Sequence, residues 1–275
     1  MNITAADVNK LRTITGAGMM DCKKALVEAE GDFDTAIDLL RKKGQKVAAN
    51  RSDRDATEGV VLAKSNGDGK RGTIVVLNCE TDFVAKNDNF VQVANTILDI
   101  AIAHKPATLD ELKALPFGDS GMNINDKITE EIGKIGEKLD LSYYGTVDAE
   151  MVFCYNHPGN KLASVVGFNK SASEDVAKDV AMQAAAMAPV ALDESSVSEE
   201  IKQKEIEVGK EQAINEGKPA DMAEKIAMGR LNKFMKENTL LNQEFIKDGK
   251  MTVSQYMKSA DKDLTATGFI RFSLS

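Results

Sequence analysis

At Glu58 the spacing of apolar residues changes from three or four to two, and that change restricts the chain to a mixed α+β fold. "EGVVLAKS" and "RGTIVVLNCE" are β-branched runs on either side of "NGDGK". Asn and Gly tolerate the positive φ of a tight turn, so the pattern predicts a hairpin. A helix of roughly 15 residues is expected next, with Phe90, Val93, Ala94, Ile97, Leu98 and Ala101 on its apolar face. The same grammar then returns: "YYGTVDAEMVFCYN" and "KLASVVGFN" flank "HPG", and "SEDVAKDVAMQAAAM" supplies a second helix. Hairpin followed by helix, used twice, predicts two related core subdomains. "TATGFIRFSLS", with Phe269 and Phe272, is expected to close one sheet.

Ahead of this core, residues 1–45 read as three short helices. Thr4 caps the first, whose apolar positions are Val8, Leu11 and Ile14, and "TGAG" breaks it. The second places Cys22, Ala25, Leu26 and Ala29 on one face and ends at Gly31. Asp32 caps the third, which carries Ala36, Ile37 and Leu40 and stops at Gly44. Residues 46–57 are polar and read as a linker. The core then divides into 58–140 and 141–275. Within the latter, 197–237 is rich in Lys and Glu with a seam of Ile201, Val208, Met222, Ile226 and Phe234 and a break at Gly217/Pro219. It fits a projecting antiparallel helical hairpin or an ordinary solvated hairpin within the domain, and the spacing does not separate the two.

Composition narrows the functional classes. With 35 basic and 43 acidic residues the net charge is −8, against the phosphate-neutralising surface of most nucleic-acid binders. Cys22, Cys79 and Cys154 lie far apart without a CxxC, so neither a disulfide framework nor a zinc site is expected, and a reducing, cytoplasmic setting fits. No membrane-length apolar run occurs. "GDGKRG" matches GxGxxG, but a strand follows it where dinucleotide binding needs a helix N-terminus, so it reads as a turn. No GxxxxGK[ST] loop is present. His104 falls at a helix end, where it favours the dipole, and His157 falls in the "YNHPG" turn. Neither has a partner spaced for a metal or a nucleophile. The expectation is a protein with no cofactor, no metal and no catalytic residues.

Apolar residues at corners stand out instead. Met19 and Met20 follow "GAG", and Phe83 follows Asp82 just past a strand. Exposed, they suit protein recognition. Spacing alone favours a different fate for Phe83, folded back as a hydrophobic staple with Asp82 or Asn87 as the cap.

"LRTITGAGMMDCKKAL" (Leu11–Leu26) and "LNCETDFVAKN" (Leu77–Asn87) resemble the two signature stretches of the elongation factor Ts family. The order of parts is similar over nearly the whole chain, although Val76 stands where a Glu commonly precedes "LN". The resemblance implies an N-terminal domain similar to ubiquitin-associated domains, two related core subdomains and a projecting hairpin. It also implies guanine nucleotide exchange on elongation factor Tu, met both with GDP and nucleotide-free, with no covalent chemistry and no direct contact with nucleic acid or membrane. By that resemblance Thr81, Asp82, Phe83 and Val84 enter the GTPase and disturb its Mg²⁺ site, Phe83 as a wedge and Asp82 by redirecting polar groups. Arg12, Met19 and Met20 meet a GTPase helix, and His157 and Gly159 match a contact of the second subdomain less securely. A homodimer of the complex stays open. The competing readings are a protein-binding adaptor built on the three-helix domain and, less supported, an enzyme on the same α+β frame.

Overall fold

The computed structural model describes residues 3–274, apart from the side chains at positions 220 and 221. The described residues form two compact units, 3–62 with 75–144 and 274, and 63–74 with 145–273.

The first unit opens with α1 (Ala5–Thr15), α2 (Met19–Glu28) and α3 (Phe33–Asn50). Thr4 and Asp7 cap α1 reciprocally, which satisfies donors that the first turn leaves unpaired. Val8, Leu11, Cys22, Ala25, Leu26, Ala29 and Ala36 form the small core. Ile14, expected inside, is 57% exposed, and Thr15 is buried in its place. The helical period favours position 15 after 8 and 11, and the Thr15 hydroxyl is satisfied by donating to the Leu11 carbonyl at 2.8 Å.

Helix α3 does not stop at Gly44 but runs to Asn50, so the first part of the expected linker 46–57 is helical. Gly44 is there for close packing: α3 crosses α7 (Ile124–Ile135), and a Cβ on Gly133 would stand 2.6 Å from the Gly44 Cα. The rest of this unit comprises β1 (Glu58–Ser65), β2 (Arg71–Cys79), α4 (Asp82–Ala85), α5 (Asp88–His104), α6 (Leu109–Ala114) and β3 (Leu139–Asp148). The strand order is β1-β2-β3, with the outer ends of all three strands belonging to the second unit. Val75, Leu77, Phe90, Ala94, Ile97, Leu98, Ile128, Ile132 and Leu141 fill the core between sheet and helices.

In the second unit, β4 (Met151–Asn156), β5 (Leu162–Phe168) and β8 (Ala266–Ser273) form an antiparallel sheet in which Val165 faces Cys154 on one side and Ile270 on the other. "YYGTVDAEMVFCYN" is therefore not one strand. It changes sheets at Ala149–Glu150, because the turn carrying "GDGKRG" captures its backbone: Ala149 N–H donates to Lys70 O at 2.9 Å and Val152 N–H to Gly69 O at 2.8 Å. Helix α8 (Glu174–Met187) covers the sheet through Val176, Ala177, Val180, Ala181 and Ala184. Helices α9 (Glu199–Asn215) and α10 (Ala220–Asn238) pair as an antiparallel hairpin, before β6 (Glu244–Phe245), β7 (Asp248–Thr252) and α11 (Val253–Ala260). The seam differs from expectation. Gly209, Ala213, Ala223, Ala227 and Leu231 are buried while Val208 and Met222 are exposed, because a Cβ on Gly209 would already stand 3.1 Å from the Ala227 Cα. No described helix is long and apolar enough to cross a membrane.

Replacing a helical Gly by Ala gains up to about 1 kcal/mol in propensity, whereas overpacking costs about 1–3 kcal/mol. At Gly133 the added Cβ would meet backbone at 2.6 Å, which puts the cost at the upper end, so Gly133→Ala should lower stability by about 2 kcal/mol in thermal unfolding. Gly44→Ala, whose Cβ meets the Thr129 carbonyl at 3.2 Å, should cost less. Equal stabilities for Gly133→Ala and wild type would contradict this reading of the crossing.

Candidate functional site

Strand β2 ends at Cys79, and after two intervening residues the chain makes the single helical turn α4. One turn cannot hold itself, since helix nucleation carries a constant on the order of 10⁻³. It is held from below. Thr81 caps α4, its hydroxyl oxygen accepting from Val84 N–H at 3.4 Å. Thr81 in turn donates both its groups to Glu137, the N–H to Oε2 at 3.1 Å and the hydroxyl to Oε1 at 2.7 Å. Glu80 repeats the contact in the opposite sense, accepting the Lys138 N–H at 2.6 Å and the Arg51 guanidinium at 2.8 and 2.9 Å. Lys138 Nζ then ties down the carbonyls of Ser52 and Arg54, each at 2.8 Å. Residues 80–81 and 137–138 thus form a reciprocal clasp. Gly136, at φ +80, ends α7 and turns the chain into it.

On this base Ala85 is buried and Val84 half-buried, while Phe83 is 83% exposed. The staple expected for Phe83 does not form. Thr81 caps α4 and Asn87 separately caps α5, accepting from Asn89 N–H at 2.9 Å and Phe90 N–H at 3.3 Å, so neither cap needs the ring. Asp82 pairs with Lys86 at 2.6 Å one turn on, on the surface. Beside the turn lies an open groove of about 690 Å³, whose walls include Phe83, Val84, Gln92, Gly16, Lys134 and Ile135.

The other expected positions fall as follows. Arg12 is exposed in the last turn of α1, and Met19 and Met20, 53% and 63% exposed, start α2. Gly16, left-handed at φ +69, closes α1 onto the Arg12 carbonyl and directs the chain to that pair. These residues and the turn share the first unit; His157 and Gly159 belong to the second. There His157 is exposed, its Nδ1 2.9 Å from the Tyr155 hydroxyl, and Gly159 takes φ +89 in the turn. His104 lies exposed in the last turn of α5. Among the described residues no group of His, Cys, Asp and Glu is arranged to hold a metal. Burial, reinforced by the charges of Glu137 and Glu58, pushes the Cys79 thiol up to about 12, and burial does the same to Cys154. Neither thiol is set to be a nucleophile near neutral pH. Cys79 instead donates to the Thr81 carbonyl at 3.1 Å, a further support of the turn.

Glu137, Glu80, Lys138 and Arg51 were not expected from the sequence. Gly136, suited to a helix stop, is a local signal near them that the sequence reading did not use, and it does not say which distant residue the following Glu meets.

Fold and turn together define an α+β protein that exposes an aromatic residue on a turn braced by hydrogen bonds. The model of the family described as Elongation factor TS matches residues 80–275. The chain is 54% identical to Elongation factor Ts of Amoebophilus asiaticus over 98% of both chains. It is 52% identical to those of Christiangramia forsetii and Flavobacterium psychrophilum, over 99% of this chain and 98% of each relative. The chain belongs to the elongation factor Ts family, and so to the translation elongation factors.

The clasp generates a pH prediction. The Lys138 N–H lowers the Glu80 carboxyl below its ordinary value; burial opposes this, and the Arg51 guanidinium lowers it further. With the folded value depressed, the stabilisation is complete above the ordinary glutamate pKa of about 4.3 and is lost as pH falls through the lower folded value. Melting temperatures of wild type and Glu80→Gln should differ most near neutrality and converge in acid. Parallel profiles would contradict the assignment.

Proposed function

We propose that this protein binds elongation factor Tu carrying GDP and speeds GDP release, so that GTP can enter. The observation that carries the reading is Phe83, exposed at the tip of a turn braced on its inner side. A large aromatic ring held out on a braced turn is the kind of residue that anchors binding interfaces, and Phe83 is the most exposed of the large apolar side chains described. Phe83 acts as a wedge between partner helices, and Asp82 redirects polar groups near the Mg²⁺, with Thr81 and Val84 completing the contact. Mg²⁺ demands near-octahedral oxygen geometry, so a small displacement of its ligands weakens the hold on the β-phosphate. No covalent step is required of this chain.

A four-decade weakening of nucleotide binding needs about 5.5 kcal/mol of coupling. Burying one Phe contributes only about 1.5–3 kcal/mol. The remainder comes from further contacts: Arg12, Met19 and Met20 on a partner helix, and the turn of His157 and Gly159. In this reading the three-helix segment and the braced turn act from the first unit, the turn of His157 and Gly159 acts from the second, and the setting is the cytoplasm. Coupling is reciprocal, so incoming GTP weakens the factor's own grip and releases it.

Release of fluorescent GDP from the elongation factor Tu of the same organism tests the reading directly. Micromolar protein should accelerate release, and Phe83→Ala should lower the maximal rate by at least about tenfold, equivalent to roughly 1.4 kcal/mol. Because the ring is exposed, its unfolding free energy should stay within about 0.5 kcal/mol of wild type. No acceleration, or a rate loss matched by a stability loss, would overturn the assignment. Replacing Met19 and Met20 together by Ser should weaken complex formation in a titration, with the melting temperature nearly unchanged.

A further inference from the structure

Helix α7 joins two places that the exchange reading needs at a fixed separation. Midway along it, Gly133 seats α3 and with it the three-helix domain that carries Met19 and Met20. At its end, past Gly136, Glu137 receives Thr81 at the start of the turn that carries Phe83. Ile124, Ile128 and Ile132 fix the helix in the core between these points.

The turn's internal bonds set its shape but not its tilt. Ala85 N–H donates to Thr81 O at 3.2 Å and Lys86 N–H to Asp82 O at 3.1 Å, bonds that survive if the whole turn swings. Its far end is fixed by buried Ala85 and by the Asn87 cap. Its near end is fixed by the carboxylate that accepts both Thr81 donors. A two-oxygen acceptor meeting two donors of one residue constrains orientation as well as distance, which a single bond does not.

We propose that Glu137 is a positioning residue for nucleotide exchange, whose two-point grip on Thr81 sets the angle at which Phe83 is presented. This rests on the exchange reading above. Glu137 acts through Thr81 and α4 on the ring. Loss of the grip leaves the apolar surface available but lets it reach the partner in many orientations, so the defect falls on the rate within the complex more than on its formation.

A double-mutant cycle on GDP release at saturating factor tests this with the full chain. Glu137→Ala should slow maximal release about tenfold, within the roughly hundredfold that a 1 Å misplacement can cost, while the factor concentration giving half-maximal rate changes less. Glu137→Gln should stay within about threefold of wild type, because its carbonyl can accept the Thr81 N–H while its amide donates to the hydroxyl oxygen. Glu137→Ala combined with Phe83→Ala should be no slower than about twofold below Phe83→Ala alone, since the two act through one element. Ile97→Val, destabilised in the core of the same unit without touching the clasp or α7's seating, should exchange as wild type does. Multiplying losses in the double variant, or a slowing by Ile97→Val equal to that of Glu137→Ala, would overturn the proposal. Wild-type acceleration matched by Glu137→Ala would overturn it alone, whereas a wild-type chain without any acceleration would remove the exchange reading and this proposal together.

Discussion

A helical turn of four residues has too few hydrogen bonds to persist in water, so the shape of α4 depends on what grips its ends. Two carboxylates supply the grip at the start. Glu137 takes both donors of Thr81, and Glu80 takes the Lys138 backbone while holding Arg51 at the end of α3. Ala85 and Asn87 fix the other end. The apolar side of the core is thereby satisfied without Phe83, and the ring is left exposed to solvent. Had the clasp been absent, the ring's own burial against α5 would have been the simplest way to order the turn.

In the exchange reading proposed above, the clasp accounts for how an acidic chain with no metal cluster among its described residues would act on another protein's nucleotide site. The work would be mechanical in the literal sense: binding free energy is used to favour one arrangement of the partner over another. Such a device needs a fixed geometry between contacts, and α7 provides it within the first unit, through the Gly44/Gly133 crossing at its middle and Glu137 beyond its end. Flexibility at either point would let the contacts form without the distortion.

Much of the fold was legible because it rests on local periodicity. The "NGDGK" hairpin, the long helix with Phe90, Ala94 and Ile97 inside, and the helix of "SEDVAKDVAMQAAAM" all follow from side-chain spacing and turn chemistry. The errors arose where tertiary contacts override it. Gly44 resembles a helix stop until Gly133 is seen against it, and "YYGTVDAEMVFCYN" resembles one strand until the hairpin tip captures Ala149 and Val152. In the hairpin α9–α10, large apolar residues were expected at a seam that closes too tightly for them. At the site, the exposure of Met19 and Met20 was foreseen, but spacing alone misjudged Phe83. The residues that decide its fate, Glu80 and Glu137, lie 58 and 56 positions from their partners Lys138 and Thr81, a separation that no local pattern encodes.

The central claim is that the turn is formed before any partner arrives, and amide hydrogen exchange of the free protein measures this most directly. Val84, Ala85, Lys86 and Asn87 donate within the turn, so their amides should exchange well below the rate of an unstructured peptide at neutral pH. Unprotected exchange at these four amides in the free chain, with protection arising only in the complex, would contradict it.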